Sequence, residues 1–160
     1  MNTPYWMISS AALLALLAGC ATTPAPVSIA DTAARTPQLS TLNKLIGDAG
    51  LTETLRGPGP YTVFAPTDEA FKAVPIKTMA ELAADKDLLK AVLSYHVLPA
   101  KVLSGEVKTG NAMTVNGANV ALSKSGAFVT VEEAVVTQAD VPASNGVVHI
   151  VDRVLIPPKR

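Results

Sequence analysis

The chain reads as an α+β domain in which helices come first and strands last. Three observations predict this class. Apolar residues recur at helical spacing as far as His96, they alternate beyond Gly110, and one strand-like run at Tyr61 is set early among the helices. Helices followed by strands argue against alternating βαβ units. The early strand must therefore reach a sheet built mostly from the far end of the chain.

That strand opens the stretch Tyr61-Thr-Val-Phe-Ala-Pro-Thr-Asp-Glu-Ala-Phe71. Its first half is a short β-rich run closed by Pro66. Its second half begins with Thr67, a good helix N-cap, followed by Asp68 and Glu69 and then by apolar Ala70 and Phe71. Acidic side chains in a first helical turn gain roughly 0.3 to 1 kcal/mol each from the partial positive charge there. Strand, sharp turn and helix thus each have a local reason to form. Thr67 and Asp68 are read here as structural residues.

Taken in order, the amino end is a processing segment. Met7 to Ala18 is an almost unbroken apolar run, too short to span a bilayer as a mature helix. It closes in Leu17-Ala18-Gly19-Cys20, which resembles the bacterial lipoprotein signal. Met1 to Ser10 carries neither Lys nor Arg, so only the α-amino group supplies positive charge ahead of the run. Cys20 is the single cysteine of the chain and has no disulfide partner, which acylation would explain. The alternatives are an ordinary cleaved signal with an incidental Cys20, or a retained anchor. Each buried methylene contributes about 0.8 kcal/mol, so two or three acyl chains such as palmitate hold a protein on a membrane essentially permanently. Ala21 follows where inner-membrane retention would want Asp, so the implied address is the outer membrane, facing the periplasm or the cell surface. The organisation expected is a signal over 1–19, a lipidated Cys20 with a flexible Ala, Thr and Pro-rich linker to residue 36, and a folded domain over 37–158.

In the domain, Leu39, Leu42, Leu45, Ile46 and Ala49 fall at helical spacing, with Gly50 as the stop. Thr52 to Leu55 can add a turn before Gly57-Pro58-Gly59-Pro60 forbids regular structure. Thr78 and Glu81 form a capping-box pattern that starts a short helix. Asp85 or Asp87 caps a further one carrying Leu88, Leu89, Val92, Leu93 and His96, which ends before Pro99. Leu103 to Val107 reads as one more turn. Strands are expected over 112–115, 118–122, 127–131, 134–138 and 147–156, separated by turn signals that include Asn116-Gly117 and Asn145-Gly146.

Three separated blocks resemble one family, the fasciclin-like domain. Tyr61 to Phe71 is similar to its first signature block, Tyr95-His96 followed by Val97 to its central pair, and Ser144-Asn-Gly-Val-Val-His-Ile-Val-Asp-Arg-Val-Leu-Ile-Pro157 to its second block. The resemblance covers roughly Thr36 to Pro157. It implies a β-sandwich or wedge of about seven strands flanked by several short helices, secreted or surface-attached, working in adhesion or macromolecular binding without catalysis. In animal relatives an Asp-aliphatic pair upstream of the second block carries recognition. Asp140-Val141 holds that position here, with Gln138 and Ala139 departing from those motifs.

Composition excludes some partners. Thirteen basic and thirteen acidic residues cancel, and the basic ones are scattered, so no field draws in a nucleic acid. Only two histidines exist, neither with the spacing a zinc site or a catalytic triad requires, and no serine lies in a Gly-x-Ser-x-Gly elbow. No cofactor or metal is expected. His96 shares a face with Leu88 and Val92, and His149 lies among apolar strand residues; a structural role accounts for both. Tyr95 can be an interface anchor if exposed and core if buried. The candidate binding residues are therefore Tyr95, His96, Asp140 and Val141, with Asn145 and Gly146 as turn residues. The partner expected is a protein or a surface polysaccharide, with weak self-association as a further expectation. A second reading is a periplasmic carrier or sensor of a small apolar ligand held between helices and sheet.

Overall fold

The computed structural model describes residues 27–158. The signal segment, Cys20 and the residues through Pro26 lie outside the described residues, as do Lys159 and Arg160.

Seven strands form one mixed sheet: β1 (Tyr61–Pro66), β2 (Val97–Leu98), β3 (Gly110–Met113), β4 (Asn119–Ser125), β5 (Phe128–Val131), β6 (Ala134–Ala143) and β7 (Gly146–Val151). Their spatial order is β2-β1-β7-β6-β5-β4-β3. The early strand reaches the far end of the chain as expected: β1 runs parallel to β7, from Tyr61 beside Gly146 to Pro66 beside Val151. All the other pairs are antiparallel. The two edges approach each other beyond β3, where the Val115 N–H donates to the Val97 carbonyl at 2.8 Å. The sheet is thus a nearly closed wedge. Between Val136 and Val141 the register of β6 against β7 slips twice, and these bulges bend the long strand.

Helices α1 (Ile29–Arg35), α2 (Ser40–Asp48), α3 (Thr52–Arg56), α4 (Asp68–Lys72), α5 (Ile76–Ala84) and α6 (Lys86–Tyr95) flank it, with a 3₁₀ turn over Pro37–Leu39. Two apolar clusters result. Leu42, Ile46, Leu82, Leu89 and Val92 from the helices meet Val63, Ala65, Val148 and Ile150 on one face of β1 and β7. Phe64 and Val151 point the other way, into a cluster with Val120, Val131 and Leu155. The parallel pair is covered on both faces, which is why its sequence is nearly continuously apolar rather than alternating.

The structure departs from the sequence reading at several places, the run of β6 past residue 138 to Ala143 among them. The linker expected as far as Thr36 ends sooner, because α1 is a packed helix. Ser28 caps it by accepting from the Asp31 N–H, and Ile29, Ala30, Thr32 and Ala33 are buried. Small residues that look like spacer composition here serve close packing. Helix α5 starts at Ile76, after Pro75, so Thr78 lies inside its first turn rather than capping it. β2 is two residues long, too short to show a period. β7 stops at Val151 instead of continuing to Ile156: the Asp152 carboxylate accepts from the Val135 N–H at 2.7 Å, and the chain then leaves the sheet.

Candidate functional site

Tyr95 and His96 close the carboxy-terminal end of α6, whose amino-terminal end Asp85 caps by accepting from the Asp87 and Leu88 N–H groups. Both side chains turn inward and each residue is 2% exposed. The partners of His96 fix its tautomer. Leu155 has only an N–H to offer and donates it to Nε2 at 2.9 Å, so the proton sits on Nδ1, which donates to the Val92 carbonyl at 2.8 Å. Burial lowers the imidazole pKa to about 4, against a smaller upward pull from that carbonyl. The ring is neutral and fully used.

Tyr95 Oη lies 3.0 Å from the Asn119 carbonyl and 3.2 Å from Glu132 Oε1. Burial, reinforced by the Glu132 charge and hydrogen bond, raises the phenol to about 12. Of the two alternatives for Tyr95, interface anchor or core, the structure shows core, and His96 takes the buried structural place that its helix face predicts, so neither candidate binding residue is at the surface. Both residues fasten α6 to the second half of the chain, and neither shares a surface with Asp140. Helical periodicity put His96 on the buried face; the acceptor that draws Tyr95 inward is Glu132, 37 residues away, which no local pattern reveals.

Asp140 is exposed and lies at the β6 bulge, with φ 57. Its carboxylate accepts from the Ser104 N–H at 2.7 Å and from the Ser104 hydroxyl through a short bond. Burial alone would raise its pKa, and the Ser104 hydrogen bonds overcome this to hold it below the usual carboxylate range. The Asp140 N–H donates to His149 Nδ1 at 3.2 Å, and His149 Nε2–H donates to the Val102 carbonyl at 2.8 Å. The same imidazole stacks on Phe64 with ring centroids 5.7 Å apart. Thr62, fully buried, donates to the Ala100 carbonyl at 2.6 Å and accepts from the Val102 N–H at 2.8 Å. Lys124 donates to the Gly105 carbonyl at 2.9 Å. The loop from Pro99 to Val107 is thus pinned along one side of the wedge, with Leu103 exposed on it. Sequence reasoning missed Ser104, Thr62 and Lys124, because their partners lie 19 to 40 residues away.

Thr67 accepts from the Ala70 N–H at 3.2 Å, capping α4. Asp68 reaches across to α2, accepting from the Ser40 hydroxyl at 2.7 Å and the Thr41 N–H at 2.8 Å, and so supplies a cap that α2 lacks within its own segment. Desolvation works against the Asp68 charge, yet these bonds leave its pKa lowered. The Asn145 amide donates to the Leu55 and Gly57 carbonyls at 2.7 and 2.8 Å, and its oxygen accepts from the Ile29 N–H at 2.9 Å. Its backbone carbonyl accepts from the Tyr61 N–H at 3.1 Å. Gly146 lies so close to Tyr61 that any β-carbon would collide with the Tyr61 carbonyl.

Among the described residues every buried side-chain nitrogen and oxygen has a partner. Surface grooves remain. A groove of about 590 Å³ runs between α2 and the α5–α6 pair, lined in part by Leu45, Met79 and Leu89. Another, of about 460 Å³, opens between the α4–α5 corner and the segment after β7, lined in part by Val74, Pro75, Val154 and Ile156. The space between helices and sheet is occupied by the packed apolar clusters.

The family model described as the Fasciclin domain matches residues 37–157. Protein sll1483 of Synechocystis sp. is 39% identical over 140 residues, covering 86% of this chain and 78% of that protein. The cell surface glycolipoprotein MPB83 of Mycobacterium bovis is 36% identical over 135 residues, covering 81% of this chain and 60% of that one. Among solved structures, a FAS1 domain pair from the insect cell adhesion molecule Fasciclin I superposes with a TM-score of 0.64 at 15% identity, over 82% of this chain and 51% of that chain.

Proposed function

Because the chain belongs to the fasciclin domain family, we propose that it is an extracytoplasmic interaction module, held to a membrane through a lipid on Cys20, that presents surfaces to another macromolecule and performs no catalysis. The observation that carries this reading is the commitment of its polar interior. The rings of His96 and His149 each have both nitrogens occupied by backbone partners, and Tyr95 is closed in against Asn119 and Glu132. A general base needs a free nitrogen within reach of a substrate proton, and neither histidine offers one. What remains for recognition is surface, with Asp140-Val141 beside the pinned loop as the first candidate. Support for the membrane address comes from the Leu17 to Cys20 sequence and from the similarity to a cell surface glycolipoprotein. A protein or a surface polysaccharide is the partner class.

The test has two arms. Mass spectrometry of the mature amino terminus reads the anchor: a diacylated or triacylated Cys20 is expected, and an unmodified one removes it. Adhesion of cells to the immobilised full chain reads the function, with Asp140→Ala expected to weaken it. Unchanged adhesion by a folded variant takes Asp140 out of the recognition surface. A second reading, carriage of a small apolar ligand, is favoured only by the groove lined by Leu45, Met79 and Leu89, whose volume falls in the range of ligand sites. An apolar fluorescent probe that binds wild type and is excluded by Met79→Asp would select it.

A further inference from the structure

The chain enters at one end of β7, and a pair of grooves around Ile156 opens at the other. Entry is at the β6–β7 turn: the Val27 carbonyl accepts from the Ser144 N–H at 2.8 Å, and Ile29 is held by Asn145. Only six residues lie between Cys20 and Val27, seven chain steps with a reach of at most about 25 Å. A domain lipidated at Cys20, as proposed above, is therefore tethered by this pole. The six residues of β7 then carry the chain about 20 Å to the other pole.

At that far pole Ile156, 53% exposed, joins Val74, Pro75 and Val154 in the lining of one groove. Ile156 lines both the groove of about 460 Å³ and an adjoining one of about 300 Å³, and the two share Glu133, Arg153 and Val154. The charged lining is unbalanced: Glu132, Glu133 and Asp152 face a single guanidinium, Arg153, which lies 3.6 Å from Glu133.

We infer that this membrane-distal double groove is a docking surface for a protein segment in which aliphatic side chains alternate with lysine or arginine. The aliphatic floor accepts the apolar side chains, and the excess of carboxylates on the rim selects the cationic ones. Because the groove points away from the anchored pole, its partner arrives from the side opposite the membrane; this orientation rests on the lipid-anchored reading, whereas the recognition chemistry does not.

The experiment is fluorescence anisotropy of a labelled heptapeptide alternating lysine with isoleucine, titrated with the full chain in detergent. Saturable binding is expected, weakened about tenfold or more by Ile156→Asp and by Glu133→Lys, and unchanged by the same charge reversal at exposed Glu53 on α3, Glu53→Lys. A peptide with glutamate in place of lysine should not bind. Both substituted side chains are exposed, so the thermal unfolding midpoint should stay put; Glu133→Lys alone keeps the test decisive if Ile156→Asp unfolds. Equal binding of the glutamate peptide, or no loss in either variant, overturns the inference. So does equal binding of a lysine–serine peptide, which would make the contact electrostatic only, and so does a concentration-dependent dimer abolished by Ile156→Asp, which would put a second copy in the groove. A lipidated Cys20 without peptide binding counts against the groove alone. Peptide binding with an unmodified Cys20 supports the groove and removes only the anchor.

Discussion

The Nε2 atom of His96 accepts the backbone N–H of Leu155 across 59 residues of sequence, and Nδ1–H of the same ring holds the Val92 carbonyl. A second proton on this ring would set an N–H against an N–H inside the core. The pKa falls from 6.5 unfolded to about 4 folded, so below pH 6.5 the unfolded chain binds more protons than the folded one. Stability contributed by the neutral ring is complete above pH 6.5 and is lost as pH falls through 4, on the order of 3 kcal/mol at about 1.4 kcal/mol per pH unit. Urea unfolding between pH 7 and pH 4 should show this slope in wild type and a shallower one in His96→Gln. Equal slopes would remove the histidine as its source.

Asn145→Ala should cost about 2–4 kcal/mol in the same denaturation measurement. It strips partners from the Ile29 N–H and from the Leu55 and Gly57 carbonyls at once, and an unsatisfied buried group typically costs about 1–3 kcal/mol. A loss below about 1 kcal/mol would mean that water replaces the amide.

Two glycines should respond with opposite signs. Gly146→Ala drives a β-carbon into the Tyr61 carbonyl and must part β1 from β7, with an expected loss above about 3 kcal/mol or failure to fold. Gly47 lies on the exposed side of α2, with no atom within 4 Å of the place a β-carbon would take, and should gain about 0.5–1 kcal/mol on replacement by Ala. Thermal unfolding of the pair reads both.

Asp140→Ala should speed hydrogen exchange at the Ser104 amide, which the carboxylate holds, and leave the Val102 amide protected, since Thr62 holds that one. Asp140→Asn should behave more mildly, because asparagine tolerates the left-handed backbone found there. Matching loss of protection at both amides would show that the loop opens as a unit.

Tyr95→Phe should cost about 1 kcal/mol by equilibrium unfolding, the usual net worth of one hydrogen bond. Glu132 keeps its bond from the Ala121 N–H at 2.8 Å, so the β5–β6 turn should hold its exchange protection.

Much of this architecture was legible in the residues. Thr67 and Asp85 announce their caps, the alternation beyond Gly110 announces the strands, and the β-rich run closed by Pro66 announces the early strand. What stayed hidden depends on distant partners. The Ala-rich stretch at Ile29 has spacer composition and becomes a helix only because Asn145 and the neighbouring helices receive it. The phenol of Tyr95 is amphipathic, and only the fold brings Glu132 to its tip. The distal groove is least legible of all: Val74, Glu133 and Ile156 come from three separate segments, and no one of them is unusual in its own neighbourhood.

The parallel pairing of Tyr61 with Gly146 spans 85 positions of sequence, and it makes an interior strand of the sheet the last one to leave the ribosome. Until Val151 has emerged, β1 has β2 on one side and an open apolar edge on the other. Such long-range closure is slow compared with local helix formation, so the wedge stays unclosed until β7 has been made. A truncation short of β7 would leave two half-sheets and no domain.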